Sequence, residues 1–258
     1  MTVAIVTGAS RGIGRAIALQ LAEDGMDIAV NDIADQLPQL ESLKSEIEHK
    51  GRRATCVIAD VSKEDQVENM VRKTVETFGE LNVMIANAGI IVPKTLFELS
   101  LAEWEKVQSV NATGAFLCYR EAARQMVSQG KGGKIVGACS IAGYRPSGNA
   151  LAYSVSKWTV RGLTQAVALD LAKHDINVNA YCPGPVDTDM WDQIDASISQ
   201  RNGLERGVAF ENSIEARSAF KRASKPEDIA NLVSFLASPR ARNMTGQSVI
   251  CDGGITFS

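Results

Sequence analysis

Tyr153 and Lys157 stand four residues apart, thirteen and seventeen positions after Ser140. On a helix, positions i and i+4 share a face, so the Lys157 ammonium can lie beside the Tyr153 phenol and favour its ionised form. A phenol that ordinarily ionises near pH ~10 can then exchange protons near neutrality. Ser140 adds a hydroxyl able to donate to an oxygen as charge develops there. Near the amino terminus, Thr7, Gly8, Ala9, Ser10, Arg11, Gly12, Ile13 and Gly14 make a glycine-rich run, whose backbone amides suit a nucleotide pyrophosphate. Together these residues predict hydride transfer between a nicotinamide and a carbonyl or alcohol carbon.

The glycine run follows an apolar strand-like segment and opens a helical one, which raises it above a chance cluster. Gly8 permits the tight turn, Gly12 leaves room for the pyrophosphate, and Gly14 permits close packing of helix on strand. The spacing is GxxxGxG. Asp32 ends the second strand eighteen residues past Gly14, where a carboxylate can bond the adenosine ribose hydroxyls and repel a 2′-phosphate. Arg11 pulls the other way, because a guanidinium near the loop could pair with that phosphate. Asp32 carries the greater weight, so NAD is expected rather than NADP. Asn111 is a poor helix former inside a helical stretch. It either bends the helix and fixes a water that relays protons from Lys157, or makes a structural bond to a neighbouring strand.

These side chains need a frame. Short β-rich runs at Val3–Val6, Asp27–Val30, Ala54–Ile58, Val83–Ala86, Lys134–Gly137, Asn177–Ala180 and Gln247–Ile250 alternate with helical periods. The helices are expected at Gly12–Asp24, Gln36–Lys50, Glu64–Phe78, Leu101–Ser128, Ala150–Lys173 and Glu227–Ala237. The alternation predicts an α/β fold, a doubly wound parallel sheet with helices on both faces, in one domain over residues 1–258. The segment Val186–Arg222 breaks the rhythm with mixed polarity, Asn202, Gly203 and Gly207. Its position after the sixth strand, where such sheets bind ligands, marks it as a substrate lid, with Met190 and Trp191 as apolar cover.

Composition narrows the classes further. A net charge of -3 gives no electrostatic footprint for nucleic acid. No apolar stretch is long enough to span a membrane, and the first strand leaves no room for a signal peptide, so a cytoplasmic location is expected. The five cysteines, Cys56, Cys118, Cys139, Cys182 and Cys251, are scattered and read as small buried hydrophobes. With only His49 and His174 as imidazoles, no metal site is expected.

The run from Thr7 to Gly14, Asp60 with Val61, Asn87 to Gly89, Asn111, Ser140, Tyr153 to Lys157 and Pro183 with Gly184 resemble, in that order, the short-chain dehydrogenase/reductase family. The resemblance covers essentially the whole chain. It implies a single Rossmann domain with seven parallel strands, an Asn111, Ser140, Tyr153, Lys157 tetrad, and hydride transfer without metal. It further implies that Lys157 also bonds the nicotinamide ribose, that Asp60 and Val61 flank adenine, and that Asn87, Ala88 and Gly89 line the ribose. Pro183, Gly184, Val186 and Thr188 would border the nicotinamide. Within the family, residues 133–140, 181–184, 189–191 and 244–248 are similar to acetoin(diacetyl) reductases and 2,3-butanediol dehydrogenases. That subgroup implies a small vicinal hydroxyketone, diketone or diol as substrate, with polyol dehydrogenase or 3-ketoacyl reductase activity as the alternative. An intact tetrad weighs against a nicotinamide-sensing protein without turnover. Tyr144 and Arg145 are larger than the residues expected beside a diketone pocket. Homotetramers are usual in the family.

Overall fold

The run Val3–Thr7 forms strand β1, and all five of its residues are buried. A strand buried on both faces needs cover on both sides. The computed structural model, which describes residues 2–257, supplies it with helices. The chain continues through α1 (Gly12–Glu23), β2 (Asp27–Asp32), α2 (Leu37–His49), β3 (Ala54–Ile58), α3 (Glu64–Phe78) and β4 (Val83–Ala86). Next come α4 (Leu101–Gln108), α5 (Gly114–Gln129), β5 (Gly133–Ala138), α6 (Leu151–Leu171) and β6 (Ile176–Pro183). The last elements are α7 (Asp189–Asn202), α8 (Val208–Arg217), α9 (Pro226–Ala237) and β7 (Ser248–Cys251).

The strands form one parallel sheet in the order β3-β2-β1-β4-β5-β6-β7. Alternate side chains of β1 serve opposite layers. Ala4 and Val6 pack with Ile17, Leu21, Leu40, Ile229 and Val233 of α1, α2 and α9. Ile5 faces Val67, Met70, Leu117 and Ala122 of α3 and α5. The chain reverses its direction of travel across the sheet between β1 and β4. Their carboxyl ends therefore part there and leave the crevice in which sheets of this kind bind ligands.

Two regions differ from the sequence reading, and both matter for the site. The helix expected over Leu101–Ser128 is interrupted by a π-helical turn at Ser109–Thr113, centred on Asn111. One residue more than an α-turn is accommodated there, a feature common at functional sites. Beyond the turn, α5 begins at Gly114, where a Cβ would stand 2.8 Å from Val61 Cγ2. The segment after β6 folds into α7 and α8, joined through Gly203 and Gly207 at φ 63° and 90°. Asp195 closes the pair by accepting hydrogen bonds from the Gly207 and Phe210 amides at 2.7 and 2.9 Å. The excursion leaves and returns at one place: Asp187 N–H donates to the Ser224 carbonyl at 3.1 Å, and Ser224 N–H donates to that of Pro185 at 3.2 Å.

Close packing behind β5 makes one expectation quantitative. A Cβ on Gly137 would lie 1.9 Å from Tyr119 Oη, which is fully buried and bonded to Thr164 Oγ1 at 3.0 Å. Gly137→Ala should destabilise the protein by about 1–3 kcal/mol through overpacking. Tyr119→Phe in the same chain should recover part of that loss, because it removes the clashing oxygen. Denaturant midpoints of the two single variants and the double variant would check the coupling.

Candidate active site

The crevice is a cavity of about 400 Å³, within the range of small-molecule and cofactor sites. One end is built by the turn from β1 into α1. Gly8 and Gly12 have positive φ of 62° and 54°, which glycine adopts without penalty. A Cβ on Gly14 would sit 2.2 Å from the Gly8 carbonyl oxygen, so the helix can approach the strand only without one. The amino end of α1 has no side-chain cap and no acidic residue in its first turn. Its amides are therefore available to an anion. Ser10 lines the same space, and its buried Oγ has no hydrogen-bond partner among the described residues. An orphaned hydroxyl among uncapped amides fits a pyrophosphate.

At this end Asp32 closes β2. Its Oδ2 accepts from the Ser10 amide at 3.3 Å and its Oδ1 from the Ile33 amide at 2.9 Å. Asp60 and Val61, after β3, line the cavity beside Lys106. The Asp60 carboxyl lies below the usual range despite burial, because the Ser62 amide and hydroxyl donate to it. Asn87, after β4, donates through Nδ2 to the Thr7 and Gly8 carbonyls at 2.7 and 3.1 Å and accepts from Tyr181 Oη at 2.7 Å.

The other end holds the groups expected from the sequence to handle protons. Ser140 follows β5, and its Oγ accepts from the Ala142 amide at 3.1 Å, leaving its own proton to donate. That Oγ also hydrogen-bonds the Tyr153 phenol. Tyr153 and Lys157 sit a turn apart on α6, with Lys157 Nζ 5.2 Å from the Tyr153 ring centroid. Nζ donates to the Ala138 carbonyl at 2.7 Å. Burial lowers the Lys157 ammonium to about 8. The same burial pushes the Tyr153 phenol up to about 12, against the pull of the Ser140 hydrogen bond. The lowering of the phenol expected from Lys157 is absent from this geometry, where burial dominates and only Ser140 pulls the phenol down. The Asn111 carboxamide accepts from the Ile90 amide at 2.8 Å and donates to the Ile90 carbonyl at 2.9 Å and to Ser156 Oγ at 3.0 Å. It thus joins the π-turn to the loop after β4, near both Gly89 and Lys157.

Of the residues singled out from the sequence, Gly8, Ser10, Arg11, Gly12, Ile13, Gly14, Asp32, Asp60, Val61, Asn87, Ala88, Gly89, Tyr153, Lys157, Pro183 and Thr188 line the cavity. Ser140 and Asn111 stand behind it, 7% and 2% exposed. Two residues are placed differently. Val186 is 2% exposed in the core around β1, and a Cβ on Gly184 would meet Asp252 Cβ at 2.8 Å, so close packing accounts for that glycine. Of the lid residues, Met190 lines the cavity, but Trp191 packs on Phe210 with ring centroids 5.2 Å apart. Tyr144 turns away, donating its hydroxyl to the Ser248 carbonyl and stacking beneath Arg161 at 3.8 Å. Neither it nor Arg145 narrows the cavity. Sequence reasoning missed Tyr181, Cys139, Lys106 and Gln193 as lining residues. Only Tyr181 carried a signal, as a hydroxyl inside an apolar strand.

A family model described as "Enoyl-(Acyl carrier protein) reductase" matches residues 8–256. The chain belongs to the short-chain dehydrogenase/reductase family. It is 48% identical over 255 residues to a short-chain dehydrogenase/reductase of Armillaria gallica, covering 99% of this chain and 96% of that one. It is 41% identical over 255 residues to a diacetyl reductase [(S)-acetoin forming] of Staphylococcus epidermidis, covering 98% of each. The crystal structure of an acetoin dehydrogenase from Enterobacter cloacae superposes with a TM-score of 0.85 at 35% identity, over 98% of this chain and 96% of that one. As a short-chain dehydrogenase/reductase it is an oxidoreductase on the Rossmann-like fold described above, in a family whose dehydrogenases use a nicotinamide cofactor. Among the described residues, no helix is long and apolar enough to cross a membrane.

The buried Lys157 has a measurable signature in this short-chain dehydrogenase/reductase. Its folded value of about 8 lies below the ordinary 10.5, so the native state binds fewer protons than the unfolded chain between those values. Stability must then rise with pH across that window; the charged ammonium weakens the fold below it. Measured without cofactor against Lys157→Met, the wild type should gain roughly 2–3 kcal/mol between about pH 7 and pH 10. Chemical denaturation across that range would check it, and a flat difference would contradict the burial effect.

Proposed function

We propose that this enzyme uses NAD and interconverts a small vicinal hydroxyketone with its diketone or diol, as in the acetoin, diacetyl and 2,3-butanediol series. One observation carries the reading: a single cavity runs from the Asp32 carboxylate to Tyr153 and Lys157. Asp32 can bond a ribose diol and opposes a 2′-phosphate. The substrate has to share this cavity with the dinucleotide and reach its Tyr153 and Lys157 end. The likeness to a diacetyl reductase and an acetoin dehydrogenase supports the same substrate class.

The residues then divide the work. A bound nicotinamide supplies or receives the hydride. Ser10 and the amides at the start of α1 would hold its pyrophosphate, and Gly89, Pro183 and Thr188 would border its other half. Ser140 donates to the substrate oxygen and steadies the charge that develops there. Tyr153, protonated at neutral pH because burial holds its phenol up at about 12, gives its proton to that oxygen in reduction and takes one back in oxidation. Lys157, fixed by the Ala138 carbonyl, sets the field around the phenol. Asn111 acts one step further out by fixing the loop through Ile90.

A homotetramer in the cytoplasm belongs to the same proposal. Phe116 and Val127 on α5 are 43% and 38% exposed, and Trp158 and Leu169 on α6 are 46% and 83% exposed. Phe116 and Val127 border a largely apolar groove between the two helices. Faces of this kind mark protein interfaces.

Tyr153→Phe should lower kcat by about 10²- to 10⁴-fold while NADH still binds, since the phenol transfers the proton but adds little cofactor affinity. Diacetyl-dependent oxidation of NADH, followed beside a fluorescence titration of NADH, would check both halves. For cofactor choice, Asp32→Ala should weaken NADH use and improve NADPH use, moving the ratio of kcat/KM by about 10²-fold. A wild type that prefers NADPH, or a variant that keeps its full NADH preference, would remove Asp32 from this role.

A further inference from the structure

Arg11 and Asp189 are 178 positions apart in sequence, yet the Arg11 guanidinium lies 3.1 Å from the Asp189 carboxylate. Both residues line the cavity. Arg11 precedes α1 and follows Ser10, whose amide is bonded to Asp32, so its backbone sits at the edge where Asp32 meets a ribose. Asp189 is the first residue of α7, on the excursion after β6. The two elements also touch nearby, where a Cβ on Gly12 would meet Thr188 Cγ2 at 3.4 Å. The ion pair thus ties the glycine turn to the first turn of α7. The side chains are 61% and 63% exposed, so the attraction is weak and screened by salt. What it decides is where the guanidinium is and whether its charge is balanced.

We propose that Asp189 is a positioning residue for cofactor choice, acting through Arg11. The proposal rests on the reading that Asp32 faces the adenosine ribose. With the pair formed, Arg11 and Asp189 together present no net charge to an incoming 2′-phosphate, and Asp32 repels it unopposed. With Asp189 neutral, the guanidinium is released next to Asp32 with a full positive charge, which a dianionic phosphate can engage in charge-assisted hydrogen bonds. NAD preference is therefore shared between a carboxylate at the end of β2 and a second one on α7 that never has to touch the cofactor.

The test is a double-mutant cycle read by binding as well as turnover. Dissociation constants for NADH and NADPH would be measured by fluorescence without substrate in wild type, Asp189→Asn, Arg11→Ala and the double variant, with kcat/KM for both cofactors alongside. Asp189→Asn should tighten NADPH by about 3- to 10-fold, well beyond any change for NADH. The double variant should return to near the wild-type NADPH value, since both charges are then gone. Asp189→Ser, also suited to a helix amino terminus, should reproduce Asp189→Asn. A general loosening of α7 would move both cofactors together and overturn the proposal. So would unchanged NADPH binding in Asp189→Asn, or a gain fully retained without Arg11. In those cases a wild type favouring NADH leaves the Asp32 reading standing; a wild type favouring NADPH removes both.

Discussion

The carboxamide of Asn87 ties three strands together at the point where the sheet reverses. Its Nδ2 serves the last carbonyl of β1 and the first of the glycine turn, while its Oδ1 takes the hydroxyl of Tyr181 from β6. Thr7 Oγ1 repeats the tie by accepting from the Asn87 and Ala88 amides, both at 3.0 Å. Parted strand ends otherwise expose backbone groups to the crevice, and buried polar groups without partners are costly. Satisfying them from one side chain fixes how far the ends stand apart. The glycines answer the same constraint, since a Cβ on Gly8 would lie 2.9 Å from Ala88 Cα and one on Gly14 would lie 2.5 Å from Asn87 Nδ2. Cofactor cradle and strand knot are therefore one packing problem.

The reacting end is organised by the cost of burying charge. Lys157 is 4% exposed and donates to the Ala138 carbonyl. Among the described residues this buried ammonium has no carboxylate partner, which weakens the fold, and it stands 5.2 Å from the centre of the Tyr153 ring. The phenol is buried beside it and bonded by Ser140, so both groups are poised away from their ordinary ionisation ranges. A cost in stability of this kind is common where activity needs such an electrostatic arrangement.

Much of this was legible in the chain because it depends on local pattern. The glycine spacing, the carboxylate at the end of β2 and the i, i+4 pair on α6 are short-range features, and the continuous apolar strands mark a sheet covered on both faces. What escaped depends on long-range contact. The π-turn breaks a stretch that reads as one helix, because the bonds that stabilise it run from Asn111 to Ile90 and Ser156. The direction in which Tyr144 points is set by the Ser248 carbonyl, 104 positions away. Gly184 and Val186 match a family pattern, but the groups that fill their surroundings, Asp252 and the core around β1, are visible only in three dimensions.

The backbone bridge between Pro185, Asp187 and Ser224 has a consequence for how such an enzyme can diversify. Because the excursion departs and re-enters at one spot, its two helices form one unit, stitched internally by Asp195 and pinned to the loop after β4 by Ser197 and Arg201, which both donate to the Pro93 carbonyl. Exchange of residues 194–217 for a segment of another length would leave Thr188, Asp189 and the strand register where they are, since among the described residues no β-pairing passes through that stretch. New substrate preferences could then arise by grafting, with the chemistry inherited intact.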